Sequence, residues 1–171
     1  MLELGTTFII SQILMFLAIV FDFISMQFKE RKPMYISLVF SASLISTHLF
    51  LLGKITAGII VFFTVIRFIT CIFTTNKKYS YIFIFLNTLT VIFTYTEIYD
   101  LIIYAGVTIF IIGNFQKNKK LMRKQMMFGT SLLVVYYIII FSPVAILAEI
   151  LFLTSAVIGY YRHYIRKNIK S

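Results

Sequence analysis

Residues 6–34 read TTFIISQILMFLAIVFDFISMQFKERKPM, an apolar run that ends in a basic cluster. The same alternation continues through all 171 residues, of which 60% are hydrophobic, 18% aromatic and 13% charged, with a mean hydropathy of +0.95. A soluble globule of this size needs more polar surface. The composition therefore excludes a water-soluble domain. It predicts an all-α membrane protein, because backbone in lipid must satisfy its hydrogen bonds within helices.

Seven apolar segments emerge when the chain is divided at its charge clusters and turn residues. Each has about the length that a helix needs to cross a bilayer core of about 30 Å. None shows the two-residue alternation of a membrane strand. Gly53 and the Ser142-Pro143 pair mark two of the turns. The predicted segments are 6–27, 34–52, 55–74, 79–95, 98–115, 122–141 and 143–161.

The distribution of positive charge predicts how the chain is threaded. The formal net charge of +10 arises from 16 basic and 6 acidic residues. Fourteen of the 16 fall in alternate loops or in the tail, whereas Lys54 alone lies on the other side. Since Lys and Arg stay on the cytoplasmic side, we predict an N-terminus outside and a cytoplasmic C-terminus. The charge then serves topology and not nucleic-acid binding. The fourteen are Lys29, Arg31, Lys32, Lys77, Lys78, Lys117, Lys119, Lys120, Arg123, Lys124, Arg162, Arg166, Lys167 and Lys170.

The two halves of the chain show an internal repeat. A shift of 88 positions places Ser43 on Ser131, and a shift of 87 places Ala18 on Ala105. The order of helix, basic loop, helix, turn and helix also repeats, which indicates two parallel three-helix repeats joined by one linker helix. The predicted domains are a first three-helix bundle over 1–76, a linker helix over 77–97, and a second bundle with a basic cytoplasmic tail over 98–171.

One stretch of the first half carries a family resemblance. It runs from Tyr35-Ile36-Ser37 to His48-Leu49-Phe50-Leu51-Leu52-Gly53, and Ala57-Gly58 and Ile66-Arg67 follow it. These residues resemble the YgjV family of bacterial inner-membrane proteins. The resemblance implies a multi-pass protein of the bacterial inner (cytoplasmic) membrane, and it implies no particular activity.

The arrangement of three plus one plus three helices is similar to that of the SWEET and PQ-loop transporters. This likeness implies a small-solute transporter or facilitator with its site between the two bundles. The chain departs from that group, because neither first helix has a Pro-Gln pair, both prolines begin later helices, and tryptophan is absent. The alternative is a non-transporting structural or accessory subunit of a membrane complex.

Four ionisable residues lie away from the ends of the predicted spans, where a charge costs at least about 2.5 kcal/mol. Asp22 and Arg67 share a depth near the cytoplasmic side, which predicts a structural ion pair, an inner gate or a substrate contact. His48 and Glu149 share a depth near the outer side. For them the alternatives are an outer gate or proton site, a hydrogen-bonded core pair, or no contact.

Small polar residues cluster near the predicted midplane. In membrane bundles such residues more often let helices pack closely than bind ligands. For a protein with a central cavity, the expected lining is Ser43, Asn87, Asn114 and Ser131.

The sequence contains no catalytic or cofactor-binding motif. Cys71 is the one cysteine, which excludes an internal disulfide and a multi-Cys metal site. A Cys-His dyad needs hydrogen-bond contact, but Cys71 and His48 differ in predicted depth by roughly 20 Å. We therefore predict no enzyme, no metal and no cofactor. The expected partners are anionic lipid headgroups at the basic loops and a small-molecule substrate, with a homo-oligomer left open.

Overall fold

A computed structural model describes residues 2–51, 55–94, 97–139 and 143–166. These residues form seven α-helices and one short π-helical turn, with no strand among them. The predicted all-α class is confirmed for this part of the chain, whereas Gly53, Lys54 and Ser142 lie outside it. The elements are α1 Leu2–Ser25, α2 Arg31–Leu51, α3 Ile55–Phe73, α4 Lys77–Thr94, α5 Asp100–Asn114, α6 Lys119–Ile139, α7 Pro143–Tyr160 and the π-helical turn Tyr161–Ile165.

The described surface of α1 is largely apolar. Ile9 and Phe16 are 61% and 67% exposed, whereas Ser11 and Ser25 are fully buried. The two buried hydroxyls donate to backbone carbonyls of their own helix. Exposed apolar surface of this extent is unfavourable in water. It is suited to a hydrocarbon environment, where polar groups must find partners inside the protein.

Two of the described helices have both the length and the hydropathy to cross a membrane. They are α1, over its segment Thr7–Ser25, and α2, over Arg31–Leu51. Their mean hydropathies are 2.3 and 1.6. Val61–Phe73 and Asp100–Asn114 are shorter apolar helices. At 1.5 Å per residue, α5 reaches about 22 Å, less than the hydrocarbon core of about 30 Å. Individual helices thus differ in how fully they match a bilayer.

The first compact unit, Met1–Phe73, has α2 as its middle helix. In this unit α2 packs against both α1 and α3. The Ser37 hydroxyl donates to the Phe21 carbonyl of α1 at 2.8 Å. The Ser46 hydroxyl donates to the Gly58 carbonyl of α3 at 2.9 Å. Small hydroxyl side chains on α2 therefore hold both neighbours at close range, as is common in membrane bundles.

The second compact unit, Thr74–Ser171, contains α4 to α7. Here α6 packs against α5 and α7, and α4 packs against α5. The Asn87 amide donates to the Thr108 hydroxyl at 3.2 Å. The hydroxyls of Thr88 and Tyr104 share a further hydrogen bond of 3.0 Å. The predicted linker helix is therefore bound to α5 by side-chain hydrogen bonds within this unit.

Asparagine residues define the starts of two helices that follow basic loops. The Asn76 Oδ1 atom accepts the backbone N–H group of Lys78 at 3.0 Å. The Asn118 Oδ1 atom accepts two such groups, at 3.0 and 3.1 Å. These bonds satisfy N–H groups that a helix start leaves unpaired. Because of them, α4 and α6 begin slightly earlier than the predicted segments at 79 and 122.

The backbones of α5 and α6 approach each other closely at two glycines. A Cβ atom placed on Gly129 would lie 2.9 Å from the Gly106 carbonyl oxygen. A Cβ atom on Gly106 would lie 3.1 Å from the Gly129 carbonyl oxygen. The absence of side chains at both positions is what allows this contact between the helices.

Candidate functional site

Asp22 lies on α1 beside the Ser41 hydroxyl of α2. Ser41 is 1% exposed, and its hydroxyl oxygen meets no partner at hydrogen-bonding geometry among the described residues. Asp22 itself is partly buried. The neighbour of this carboxyl group is therefore a hydroxyl group of the middle helix.

Arg67 lies on α3 and has different neighbours. Its guanidinium carbon is 5.3 Å from the centroid of the Phe68 ring, and Tyr35 and Cys71 lie within electrostatic range. The structure does not bring Asp22 and Arg67 together as an ion pair in the part of the chain that it describes. The reason is that α2 packs against both α1 and α3. It supplies Ser41 beside Asp22 and Tyr35 near Arg67.

His48 lies near the end of α2 and is 9% exposed. Its Nδ1 atom is 2.7 Å from the Ser11 carbonyl oxygen of α1. Because a carbonyl oxygen can only accept, Nδ1 is the donor, which leaves Nε2 as the acceptor in a neutral ring. His48 therefore connects α2 to α1 within the first unit.

Glu149 lies on α7, in the second unit, and is partly buried. The Tyr137 side chain of α6 is within its electrostatic range. His48 and Glu149 thus belong to different compact units, and each has a polar neighbour within its own unit.

Ser43 and Ser131, which the repeat relates to each other, have the same local environment. Both are partly buried. The Ser43 hydroxyl donates to the Val39 carbonyl at 2.7 Å, and the Ser131 hydroxyl donates to the Met127 carbonyl at 3.0 Å. Each bond joins a hydroxyl to the carbonyl four residues earlier in its own helix, so the oxygen lone pairs stay available to accept a further bond.

The two asparagines of the predicted lining both belong to the second unit. Asn87 is partly buried, and its amide group binds α4 to α5. Asn114 is fully buried at the last position of α5. Asn87 therefore serves at least one contact between helices, in keeping with the packing role that the residue type predicts.

The structure places several of the fourteen basic residues in the first turns of helices and not in loops, and Arg123 is in addition buried. Arg123 lies in α6 and is 1% exposed, whereas the adjacent Lys124 is exposed. The spacing of Arg123, Met126 and Thr130 could have revealed this, because steps of three and four residues share one helix face. Met126 and Thr130 are both 0% exposed.

Arg31, Tyr35 and Cys71 form a cluster that sequence reasoning missed. The Arg31 Nε atom donates to the Cys71 carbonyl at 3.0 Å, and its guanidinium carbon lies 4.8 Å from the Tyr35 ring centroid. Tyr35 and Cys71 are both 0% exposed. His48 is seventeen residues after Arg31 on the same helix, which corresponds to about 25 Å. Cys71 and His48 therefore lie near opposite ends of α2.

Comparison with family models places most of the chain in one family. The family model Imp-YgjV, described as "Bacterial inner membrane protein", matches residues 9–167. No curated protein and no solved structure matches the chain. The match covers more than half of the sequence and confirms the resemblance that the residues of the first half suggested. The chain therefore belongs to the Imp-YgjV family of bacterial inner membrane proteins.

Proposed function

We propose that the protein is a multi-pass facilitator that lets a small polar solute cross the inner membrane. The observation that carries the proposal is the repeated helix order. In the first unit α2 packs against α1 and α3, and in the second α6 packs against α5 and α7. Duplicated bundles in parallel orientation are a recurrent plan among transporters. No catalytic step and no cofactor is part of this proposal.

The matched environments of Ser43 and Ser131 support a polar solute. Each hydroxyl donates to its own helix and keeps lone pairs that accept hydrogen bonds. A solute that donates hydrogen bonds, such as a sugar or an amino acid, suits such a lining. In this proposal each of the four ionisable residues is a separate candidate for contact with the solute, His48 and Glu149 toward the predicted outer side and Asp22 and Arg67 toward the predicted inner side.

Uptake into liposomes tests the proposal. We expect the purified protein to increase the entry of at least one member of a panel of radiolabelled sugars, amino acids and inorganic ions, relative to empty liposomes. Loss of one hydrogen bond costs about 1 kcal/mol. The double variant Ser43→Ala with Ser131→Ala should therefore slow that entry by about tenfold or more.

Thr47 provides the matched control for the serine variants. Its hydroxyl also donates to the carbonyl four residues earlier, at 2.9 Å, but its side chain is exposed. Thr47→Val should leave uptake within about twofold, since Thr47 is exposed and is not one of the proposed lining residues. A silent panel would contradict transport, and a stable co-purifying membrane protein would then favour the accessory-subunit alternative.

The orientation of the chain is tested by reporters fused after Ser171. The excess of basic residues in alternate loops predicts a cytoplasmic C-terminus. A fluorescent protein at this position should be bright, whereas alkaline phosphatase should be inactive. The reverse pattern would show that the number of spans or their direction is wrong.

A further inference from the structure

Arg67 is a buried cation that meets no acidic partner in the described part of the chain. Its side chain is 9% exposed, and its Nε atom has no hydrogen-bond partner among the described residues. Among the described residues, no carboxylate forms an ion pair with it, and Asp22 of the same unit lies beside Ser41 instead. Moving a guanidinium group out of water costs several kcal/mol unless a charge or hydrogen bonds compensate.

The groups around Arg67 do not supply that compensation. The Phe68 ring, at 5.3 Å, offers a cation–π contact worth about 2 kcal/mol when desolvated. Tyr35 and Cys71 are fully buried, lie within electrostatic range of Arg67 and are in contact with each other. An uncharged phenol and an uncharged thiol leave the positive charge unbalanced.

A second guanidinium approaches the same two residues from the start of α2. Arg31 donates from Nε to the Cys71 carbonyl at 3.0 Å and lies 4.8 Å from the Tyr35 ring centroid. Arg31 and Arg67 therefore share Tyr35 and Cys71 as neighbours. Arg31 thus brings a second guanidinium group to the neighbours of Arg67, and an anion held there would balance the buried charge of Arg67.

We propose that Arg67 and Arg31 bind an oxyanion, a phosphate or a carboxylate, at the end of the first unit where α2 begins and α3 ends. The planar guanidinium group matches the geometry of such anions and forms paired hydrogen bonds with them. Arg67 is six residues before the end of α3, about 9 Å along the helix. A dissolved anion and the phosphate of a lipid headgroup share this chemistry, and the test below distinguishes them.

Two probes distinguish these sources with the full chain in an uncharged detergent. Inorganic phosphate is titrated while the melting temperature and the heat of binding are measured. Phosphatidylglycerol and phosphatidylcholine are compared by native mass spectrometry. We expect Arg67→Gln to weaken the binding of the active probe by at least tenfold. Arg67→Lys keeps the charge but loses the paired geometry, and it should weaken binding by a smaller factor.

Lys32→Gln is the matched control, because Lys32 is adjacent to Arg31, is exposed, and carries the same charge. The binding of the active probe to Lys32→Gln should stay within twofold of the wild type.

Arg67→Gln should also raise the melting temperature of the anion-free protein, since it removes a buried charge. A loss of binding in this variant would therefore not reflect misfolding. A phosphate response shows a dissolved anion, and selective retention of phosphatidylglycerol shows a headgroup. Absence of both, or an equal loss in Lys32→Gln and Arg67→Gln, would overturn the proposal. The measurements are made at equilibrium and do not depend on transport.

Discussion

Replacing Gly129 by alanine should lower the free energy of unfolding by about 2 kcal/mol, within the range for overpacked sites. The new methyl group would lie 2.9 Å from the Gly106 carbonyl oxygen, an atom of the facing backbone that no rotamer change can move away. The helices α5 and α6 must therefore separate. For a chain of this length we expect the melting temperature in detergent to fall by about 4–8 °C.

Gly58→Ala is the control for this substitution. Its methyl group would lie 2.8 Å from the Phe50 ring, but that ring is the end of a side chain that is 44% exposed. Because the ring can rotate away, the gain in helix propensity of about 1 kcal/mol should offset the contact. The two variants should thus differ in melting temperature although the chemical change is identical. Equal melting temperatures would show that the close approach of α5 and α6 does not limit stability.

The helices could be predicted because hydropathy is a local property of the sequence. In lipid, a long apolar segment satisfies its own backbone hydrogen bonds only as a helix. Seven such segments therefore predict seven helices. The attachment of α4 to α5 could not be predicted in this way. It includes the hydrogen bonds Asn87–Thr108 and Thr88–Tyr104, which join residues 21 and 16 positions apart in the chain.

The pairing of ionisable residues was harder to predict because equal depth does not determine direction. Asp22 and Arg67 lie on the outer helices of the first unit, and α2 meets both of those helices. A residue's depth follows from counting along its helix, whereas its neighbours depend on how that helix is rotated. The sequence therefore identified the polar positions in the bundle, and the packing around α2 determined that Asp22 lies beside Ser41 and Arg67 near Tyr35.

The second large effect that we expect is the loss of stability in Arg123→Ala. It tests whether Arg123 stabilises the fold or only helps to orient the chain. As a loop residue it would contribute only positive charge at the cytoplasmic side. In the structure it is 1% exposed and takes part in a polar or electrostatic contact. Arg123→Ala removes the long side chain, leaves a cavity and deprives the surrounding groups of their partner. We expect a loss of about 3 kcal/mol in unfolding free energy, measured as a fall of about 6–12 °C in melting temperature.

Lys124→Ala is the matched control for Arg123→Ala. It is the next residue, carries the same charge and is exposed, so Lys124→Ala removes the same count of positive charge without a cavity. Its melting temperature should stay within about 2 °C of the wild type, as expected for a surface substitution. If the two variants melt together, Arg123 acts through its charge alone. If only Arg123→Ala melts early while a reporter after Ser171 stays cytoplasmic, the arginine contributes to the packed interior of the second unit, and the other basic residues suffice to orient the chain.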